Sequence, residues 1–254
     1  MPKLYFLGTG TSTGVPQMGC SCPVCTSSDP RDRRLRTSAM LETDEGRRIL
    51  IDCGPDFRQQ MLSIPFRPME AVLLTHEHYD HVGGLDDLRP FSVFGAAEIY
   101  ADPYCARHLR ERIPYCFVEK KYPGVPSLVL HDLTLGQPFE VAGCEVLPFE
   151  VMHGKLPIVG YRIGELAYIT DMSVMNESSK ALLKGLKVLV VNALRFEPHA
   201  THQSLKEALT LIEELQPERS FLTHFSHGIG LHAETSLRLP PTVELAYDGR
   251  VVAW

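Results

Sequence analysis

The sequence predicts a single α/β domain in which helices cover β-sheets. Its 254 residues, 44% of them hydrophobic, are enough to bury a full core, and single α/β domains commonly reach this length. Short β-rich runs recur along the chain, each followed by Gly, Pro or charged residues. Because no repeat, low-complexity tract or linker divides the sequence, we expect one domain over residues 1–254.

The β-rich runs are continuously apolar, which is typical of strands covered on both faces. They are KLYFLG at 3–8, RRILIDCG at 47–54, AVLLTH at 71–76, ELAYITD at 165–171, KVLVVNA at 187–193 and SFLTH at 220–224. The clearest helix, at 204–216, could supply such cover. Its apolar positions are Leu205, Leu209, Ile212 and Leu215. Several runs end in a potential metal ligand, so we expect the chemistry on loops at strand ends.

Composition and charge argue against several classes of protein. The formal net charge of −6 disfavours a general nucleic-acid binder, which usually carries a basic surface. The apolar runs are far shorter than the roughly 20 residues that cross a bilayer, and MPKLYFLGTG has too short an apolar stretch for a signal peptide. We therefore expect a cytoplasmic protein with no membrane partner and no extended nucleic-acid partner. The basic patch RDRRLR at 31–36 is predicted to be a solvated loop.

The stretch THEHYDH at 75–81 carries three imidazoles and a carboxylate directly after a predicted buried strand. Side chains two apart on an extended segment point the same way, so His76 and His78 can bind one ion. Asp80 and His81 follow a change of chain direction and can reach a second ion. A polar surface loop is the alternative, but four ligand-type residues at these spacings favour a metal site.

Other predicted strands also end in potential ligands, which a pair of metal ions needs because one loop cannot supply enough. His153 follows LPFEVM, Asp171 ends LAYIT, and His224 ends SFLT. The two oxygens of Asp171 allow it to bridge two ions, whereas an imidazole bound through one nitrogen cannot.

Three of the seven cysteines, Cys20, Cys22 and Cys25, lie together in the stretch GCSCPVC. With no secretory signal, a disulfide framework is unfavoured and clustered cysteines are better interpreted as ligands. Structural zinc needs four ligands, and His227, three residues after His224, is the candidate for the fourth. Redox chemistry and simple packing are the alternatives. The isolated cysteines, predicted to be buried small apolar residues, are Cys53, Cys105, Cys116 and Cys144.

The order H-x-H-x-D-H, then His, Asp and His on later strand ends, resembles the metallo-β-lactamase superfamily along the whole chain. The resemblance implies a four-layer αββα sandwich with the site at one edge between the sheets. It implies two divalent ions, zinc or manganese, bridged by Asp171. It also implies that Asp52 orients one of the metal ligands and does not itself bind metal. The ligands implied for the first ion are His76, His78 and His153, and those for the second are Asp80, His81 and His224. True β-lactamases usually carry a cysteine among the second-site ligands, so antibiotic hydrolysis is disfavoured.

Within the superfamily, Cys-x-Cys-x-x-Cys after a Gly/Thr-rich loop, with THxSH near the end, is similar to the cyclic phosphodiesterases of the carbon–phosphorus lyase pathway. In that family three cysteines and the second histidine hold a structural zinc. The resemblance implies the same role for Cys20, Cys22, Cys25 and His227. Relatives form homodimers, so a homodimer is one candidate assembly.

The implied metal pair suggests an activity and two catalytic residues, Asp80 and His202. The positive charge of two divalent ions exceeds the negative charge of two carboxylates and a bridging hydroxide. The pocket would therefore carry a net positive charge and suit an anionic ester. Bound metal lowers the pKa of water to about 7, which provides hydroxide for attack on phosphorus. His202 matches the histidine that the cyclic phosphodiesterases place near the substrate, and it would protonate the leaving group; His199 is the alternative.

The predicted function is therefore a dinuclear metal-dependent phosphodiesterase that hydrolyses a small cyclic or nucleotide-like phosphodiester, such as 5-phosphoribosyl 1,2-cyclic phosphate. A tRNA-processing nuclease and a thioester or lactone hydrolase on the same metal framework are alternatives. A non-enzymatic zinc-binding or redox module would need no bridging carboxylate. A second phosphate on the substrate would need a cation, for which Lys155, Arg58 and the 31–36 patch are candidates.

Overall fold

The computed structural model describes residues 1–120 and 122–254, in which two β-sheets pack face to face with helices on both outer surfaces. The strands are β1 Lys3–Gly8, β2 Ser38–Glu42, β3 Arg48–Ile51, β4 Ala71–Leu73, β5 Ala97–Ala101, β6 Leu128–Asp132, β7 Phe139–Val141, β8 Cys144–His153, β9 Leu156–Ile163, β10 Leu166–Tyr168, β11 Val188–Asn192, β12 Arg219–Thr223, β13 Val243–Leu245 and β14 Val251–Ala253. The α-helices are α1 Phe57–Met61, α2 Tyr79–Val82, α3 Pro103–Arg112, α4 Glu177–Ala181, α5 Leu205–Leu215 and α6 His232–Ser236. Short 3₁₀ helices cover Pro30–Asp32, Leu85–Phe94, Pro114–Cys116 and His227–Ile229.

Each sheet contains both antiparallel and parallel pairs. The strand order is β14-β1-β2-β3-β4-β5-β6 in the first sheet and β13-β12-β11-β10-β9-β8-β7 in the second. Neighbours run parallel from β3 to β6 and from β10 to β13, so the carboxyl ends of these strands meet at one edge of their sheet. Strand β8 is antiparallel to β9, which is antiparallel to β10, so β8 ends at that same edge. The topology therefore brings the predicted strand-end ligands together.

Three hydrophobic layers hold the sandwich together and confirm the predicted αββα architecture. The layer between the sheets includes Phe6 of β1 and Phe221 of β12, whose ring centroids lie 5.7 Å apart. A second layer packs α5 against the second sheet, and a third packs α3 against the first sheet. Both faces of the central strands are covered, which explains why their sequences are continuously apolar.

Helix α5 begins after Ser204, which forms a capping box with Glu207. The prediction of a helix at 204–216 is confirmed, with the cap one residue before the first helical turn. The buried face of the helix is formed by Leu205, Ala208, Leu211 and Ile212. Two predicted core positions, Leu209 and Leu215, are only partly buried, because the sheet contacts the neighbouring stripe of the helix.

Two expectations about individual residues are wrong. The 31–36 segment is not a uniformly solvated loop, because Arg34 is only 2% exposed and is surrounded by polar partners. Cys144 is half-buried at the start of β8, whereas Cys53, Cys105 and Cys116 are buried as predicted. Among the described residues, the helices lack the combination of length and apolarity that crossing a bilayer requires.

Candidate metal centre

The predicted strand-end ligands gather at one edge of the sandwich, and we call this group, together with His202, the edge cluster. Its side chains form three overlapping groups, in each of which the ligand atoms lie within 4.8 Å of one another. The groups are His76, His78 and His153; Asp80, His81, Asp171 and His224; and His153, Asp171 and His202. All seven residues predicted to bind the metal pair are therefore in one place, and Asp171 belongs to two of the groups.

Backbone conformation at the strand ends directs several of these side chains into the cluster. Asp52, Asp171 and His224 have left-handed φ angles of 61°, 56° and 59°. This conformation costs a non-glycine residue on the order of 1–3 kcal/mol, although Asp and His accept it more readily than most. Close chain packing is needed as well, since a Cβ on Gly54 would lie 2.0 Å from the Asp80 carbonyl oxygen.

Hydrogen bonds determine which ring nitrogen of His76 and His153 faces inward. The Thr75 hydroxyl donates to Asp52 and accepts from His76 Nδ1 at 3.0 Å. His153 Nδ1 donates to the carbonyl oxygens of Asp171 at 2.8 Å and Thr201 at 2.9 Å. These bonds assign the proton to Nδ1 in both rings and leave each Nε2 with a free lone pair.

The same pattern holds His81 and His224. His81 Nδ1 donates to Asp52 Oδ2 at 2.7 Å. His224 Nδ1 donates to the Thr37 hydroxyl at 3.1 Å, which in turn donates to a backbone carbonyl. The Nε2 lone pairs then point at carboxylate oxygens: that of His81 lies 3.2 Å from Asp80 and from Asp171, and that of His224 lies 3.1 Å from Asp171. Lone pairs that face each other at such distances repel unless a cation lies between them.

Two observations test whether the cluster suits a metal ion. The buried Nε2 of His81 has no hydrogen-bond partner among the described residues, although two carboxylates surround it. The Nε2 of His76 and the Nδ1 of His78 approach to 3.0 Å, a contact that a shared cation explains. Imidazole nitrogens with outer partners on their second nitrogen, together with carboxylates, are the usual ligands of divalent transition metals. The residues fit.

The pKa shifts within the cluster agree with this fit. Burial lowers the pKa of His76 well below its usual value and that of His224 to about 4, so both rings are neutral at pH 7. Burial also opposes a charge on His81, but the carboxylates of Asp171, Asp80 and Asp52 raise its pKa well above the usual value. The surroundings of His81 therefore demand a positive charge, which either a proton or a metal ion can supply.

His202 lies beside the Asp171 carboxylate. Its Nε2 is 3.1 Å from Asp171 Oδ1, and its ring stacks on that of His224 with centroids 5.2 Å apart. Its Nδ1 is 3.0 Å from the Thr201 hydroxyl and 3.1 Å from His199 Nδ1. His199 contacts Thr201 and His202 and has no contact with the carboxylates of the cluster among the described hydrogen bonds. Of the two histidines, His202 is the one that contacts the Asp171 carboxylate.

The candidate cations for a second phosphate are dispersed. Arg58 is an exposed residue of α1 that lines an apolar cleft with Met61 and Phe66. Lys155 lies exposed in the tight turn between β8 and β9, directly after the turn begins at Gly154. Arg36, in the 31–36 patch, is paired with Asp56 at 2.8 Å. Of these, only Lys155 belongs to the same turn as a member of the edge cluster.

Two threonines that the sequence did not suggest also touch the edge cluster. Thr37 accepts the His224 proton, and the Thr11 hydroxyl lies 3.1 Å from His224 Nε2. Thr11 belongs to the Gly/Thr-rich loop that precedes the cysteines, a loop that the sequence pattern singled out without indicating this residue. The contact between Thr37 and His224 could not be inferred from the sequence, because the two residues lie 187 positions apart in the chain.

The four residues predicted as a zinc site also meet, and we call them the cysteine cluster. The sulfur atoms of Cys20, Cys22 and Cys25 lie 3.2, 3.5 and 3.4 Å from His227 Nδ1. One ring nitrogen can donate at most one proton, so these cannot all be hydrogen bonds. A tetrahedral zinc ion would separate sulfur from nitrogen by about 3.5 Å, so the residues fit a metal. The backbone N–H of Cys25 lowers the pKa of Cys22 to about 6, which favours its thiolate, whereas burial raises the pKa of Cys25 to about 11, so that a bound cation is needed to hold both as thiolates.

Comparison with known proteins agrees with the fold. The family model described as a β-lactamase superfamily domain matches residues 47–225, which is more than half of the chain. The chain belongs to the metallo-β-lactamase superfamily. Within it, the chain is similar to a crystal structure titled as a new diphosphatase from the PhnP family, at 39% identity and a TM-score of 0.92, over 99% of this chain and 96% of that one. The resemblance to this superfamily that the sequence motifs indicated is confirmed. The similarity to a PhnP-family structure also supports the predicted class of metal-dependent hydrolases.

Two other relatives show how far the similarity extends. A protein of Porphyromonas gingivalis named octanoyltransferase is 46% identical over 248 residues, which are 97% of this chain and 50% of that protein. The chain spans about half the length of the curated relatives it matches first. The structure of human tRNase Z, short form, is 21% identical with a TM-score of 0.72 over 99% of this chain and 98% of that one, a likeness of fold alone.

Replacing Asp52 with asparagine should weaken metal binding at the edge cluster. All described partners of this carboxylate are donors, namely Thr75 N, the Thr75 hydroxyl and His81 Nδ1. In asparagine, an NH₂ donor can face the Nδ1–H donor of His81. This would favour the His81 tautomer that carries its proton on Nε2. We expect a 10- to 100-fold loss of metal affinity, measured by chelator competition, as for other outer-shell changes. The exposed Asp132→Asn is the control, and equal affinities in both variants would contradict the assignment.

Replacing Cys22 with serine should remove one metal ion without disturbing the edge cluster. The cysteine cluster would lose a thiolate ligand, so the ratio of zinc to protein should fall by about one and the free energy of unfolding should decrease. Elemental analysis and denaturant unfolding measure both quantities. Cys144→Ser, in a half-buried cysteine outside the cluster, is the matched control. An unchanged zinc ratio in Cys22→Ser would exclude the metal assignment.

Proposed function

We propose that this chain is a dinuclear metal-dependent hydrolase that cleaves a small anionic phosphodiester, such as 5-phosphoribosyl 1,2-cyclic phosphate. One observation carries the proposal: Asp171 lies in one ligand group with Asp80, His81 and His224 and in a second group with His153 and His202. A site that only stored zinc would need neither the sharing nor a histidine beside it. We propose that His76, His78 and His153 hold one ion, that Asp80, His81 and His224 hold the other, and that Asp171 bridges them.

When bound, a pair of divalent ions acidifies water and polarises the phosphoryl oxygens. The protein itself contributes orientation and a proton. Asp171 can serve both ions because it lies in one ligand group with His81 and His224, proposed for the second ion, and in another with His153, proposed for the first. His202, held by Thr201 on Nδ1, presents Nε2 toward Asp171 Oδ1 and can carry a proton there for the departing oxygen.

Electrostatics favours an anionic substrate. The chain has a formal net charge of −6, so its surface as a whole repels anions. Imidazoles that bind a metal are neutral, and the three carboxylates at the site, Asp52, Asp80 and Asp171, cannot neutralise two divalent cations. The loaded site would therefore be a local positive region on an acidic protein, where a phosphate group binds and a neutral ester gains little.

Diphosphate hydrolysis is the second candidate, because the PhnP-family structure with 39% identity is titled a diphosphatase. A phosphoanhydride carries the same anionic oxygens, and its leaving group is a phosphate rather than an alkoxide. An acyl thioester is a third substrate class to test, since the Porphyromonas gingivalis relative is named an octanoyltransferase. That name belongs to a protein about twice the length of the matched region, so it supports this class only weakly.

A substrate panel before and after chelation tests the proposal. Bis(p-nitrophenyl) phosphate, five-membered cyclic phosphodiesters, a nucleoside diphosphate and an octanoyl thioester should be compared with the purified, metal-assayed protein. We expect phosphodiester hydrolysis that stops on chelation and returns with zinc or manganese. Preference for the nucleoside diphosphate would favour the second candidate. Hydrolysis that survives complete metal removal, or activity on the thioester alone, would contradict the proposal.

His202→Ala should slow substrates according to their leaving group. If His202 protonates the departing oxygen, alkoxide leaving groups should lose roughly 10²- to 10⁴-fold in kcat, whereas nitrophenolate, which leaves without a proton, should lose far less. Rates on a cyclic phosphodiester and on bis(p-nitrophenyl) phosphate measure the difference. His199→Ala is the control on the same loop. An equal loss on both substrates would assign His202 to positioning instead.

A further inference from the structure

Arg34 stands apart from its neighbours in the basic segment 31–36. It is 2% exposed, whereas Arg33 beside it in the sequence is exposed. Burial lowers the pKa of Arg34 to about 10, so the guanidinium is still charged at neutral pH. A charge is rarely buried without partners, because its desolvation is costly. Its surroundings therefore indicate what this arginine does.

The guanidinium of Arg34 joins segments that are distant in the sequence. It donates to the Thr9 hydroxyl at 3.2 Å and to the carbonyl oxygen of Ala246 at 2.8 Å. Its second nitrogen lies 3.4 Å from His232 Nδ1 on α6. Thr9 in turn donates to the half-buried Asp248 carboxylate, which lies near enough to offset the positive charge. Arg34 is thus a cross-link between the N-terminal loop and the C-terminal segments.

The flat face of the same guanidinium covers the ring of Phe225, 4.5 Å from its centroid. The backbone of Phe225 is held as well, because its N–H donates to Thr9 at 2.9 Å and its carbonyl accepts from Thr11 at 2.8 Å. Phe225 follows His224 directly and precedes His227 by two residues. The segment 224–227 therefore carries one ligand of the edge cluster and one ligand of the cysteine cluster, with the arginine packed between them.

Arg34 is also tied to the chain that leads to the cysteines. Its backbone N–H and carbonyl pair with Val15 at 2.7 and 2.9 Å, five residues before Cys20. The three cysteines and His227 thus approach the cysteine cluster from two segments that both contact this residue. The group of His76, His78 and His153 comes from the β4–α2 connection and the end of β8 and has no such connection among the described contacts.

We propose that Arg34 is a positioning residue that fixes the segment 224–227 and so sets His224 in the edge cluster and His227 in the cysteine cluster at the same time. The inference rests on the proposed function in so far as both clusters hold divalent ions. It goes further in assigning a common mechanical support to two of the three metal positions. The third, formed by His76, His78 and His153, should be independent of Arg34.

Cobalt binding to metal-free Arg34→Met tests this pattern, with Arg33→Met as the matched control. Thiolate-to-cobalt charge-transfer absorption reports the cysteine cluster, and the weaker visible bands with chelator competition report the two edge ions. We expect about tenfold weaker binding at the cysteine cluster and at one edge ion, the lower end of the effect of outer-shell changes, with the other edge ion unaffected. Arg33→Met should bind all three ions like the unmodified protein.

Phe225→Leu is the second variant, in case Arg34→Met does not fold. It removes the stacked ring while keeping Arg34 and most of the apolar volume, so the same two positions should weaken and the third should not. Equal weakening of all three positions, or no change at any of them, would overturn the positioning role. If the unmodified protein binds no cobalt at the edge cluster, the proposed function fails instead, which is a different outcome from either.

Discussion

The arrangement of the edge cluster depends on one electrostatic constraint: the Asp171 carboxylate is buried among imidazole nitrogens that carry lone pairs. Its two oxygens lie 3.1–3.2 Å from the Nε2 atoms of His81 and His224. Hydrogen bonds on the opposite side of each ring hold the proton away from the carboxylate. Such a group is stable only when positive charge enters it, so the fold builds a demand for cations into its own interior.

The outer partners of the histidines maintain that constraint. Asp52 and Thr75 orient His81 and His76, and Thr37 orients His224. Without them each ring could exchange its tautomer and present a proton where a metal must bind. The left-handed backbone at Asp52, Asp171 and His224 adds strain in the same place. The sandwich core, covered on both faces of each sheet, supplies the stability that offsets this strain.

The edge cluster and the cysteine cluster share a stretch of chain rather than being separate modules. His224 and His227 lie on one short segment that leaves β12, so a displacement of its backbone would move both rings. The buried Arg34 beneath Phe225 holds this segment to the N-terminal loop. The cysteine cluster therefore does more than close a loop, since it anchors the chain immediately beside a ligand of the edge cluster.

The sequence by itself determined that the candidate ligands follow apolar strands and that helices cover the sheets, because both follow from local patterns. The two-residue spacing in THEHYDH and the candidate ligands directly after apolar runs can be seen in the amino-acid sequence. The carboxyl ends of these strands converge because neighbouring strands run parallel. Position 34 illustrates the limit of prediction from sequence. Nothing in RDRRLR distinguishes the buried Arg34 from the exposed Arg33 beside it. The partners of Arg34 lie up to 212 positions away, and Thr37 lies 187 positions from His224. Only the tertiary structure decided which nitrogen of each histidine faces inward, because tautomers depend on hydrogen bonds between residues that the fold alone brings together.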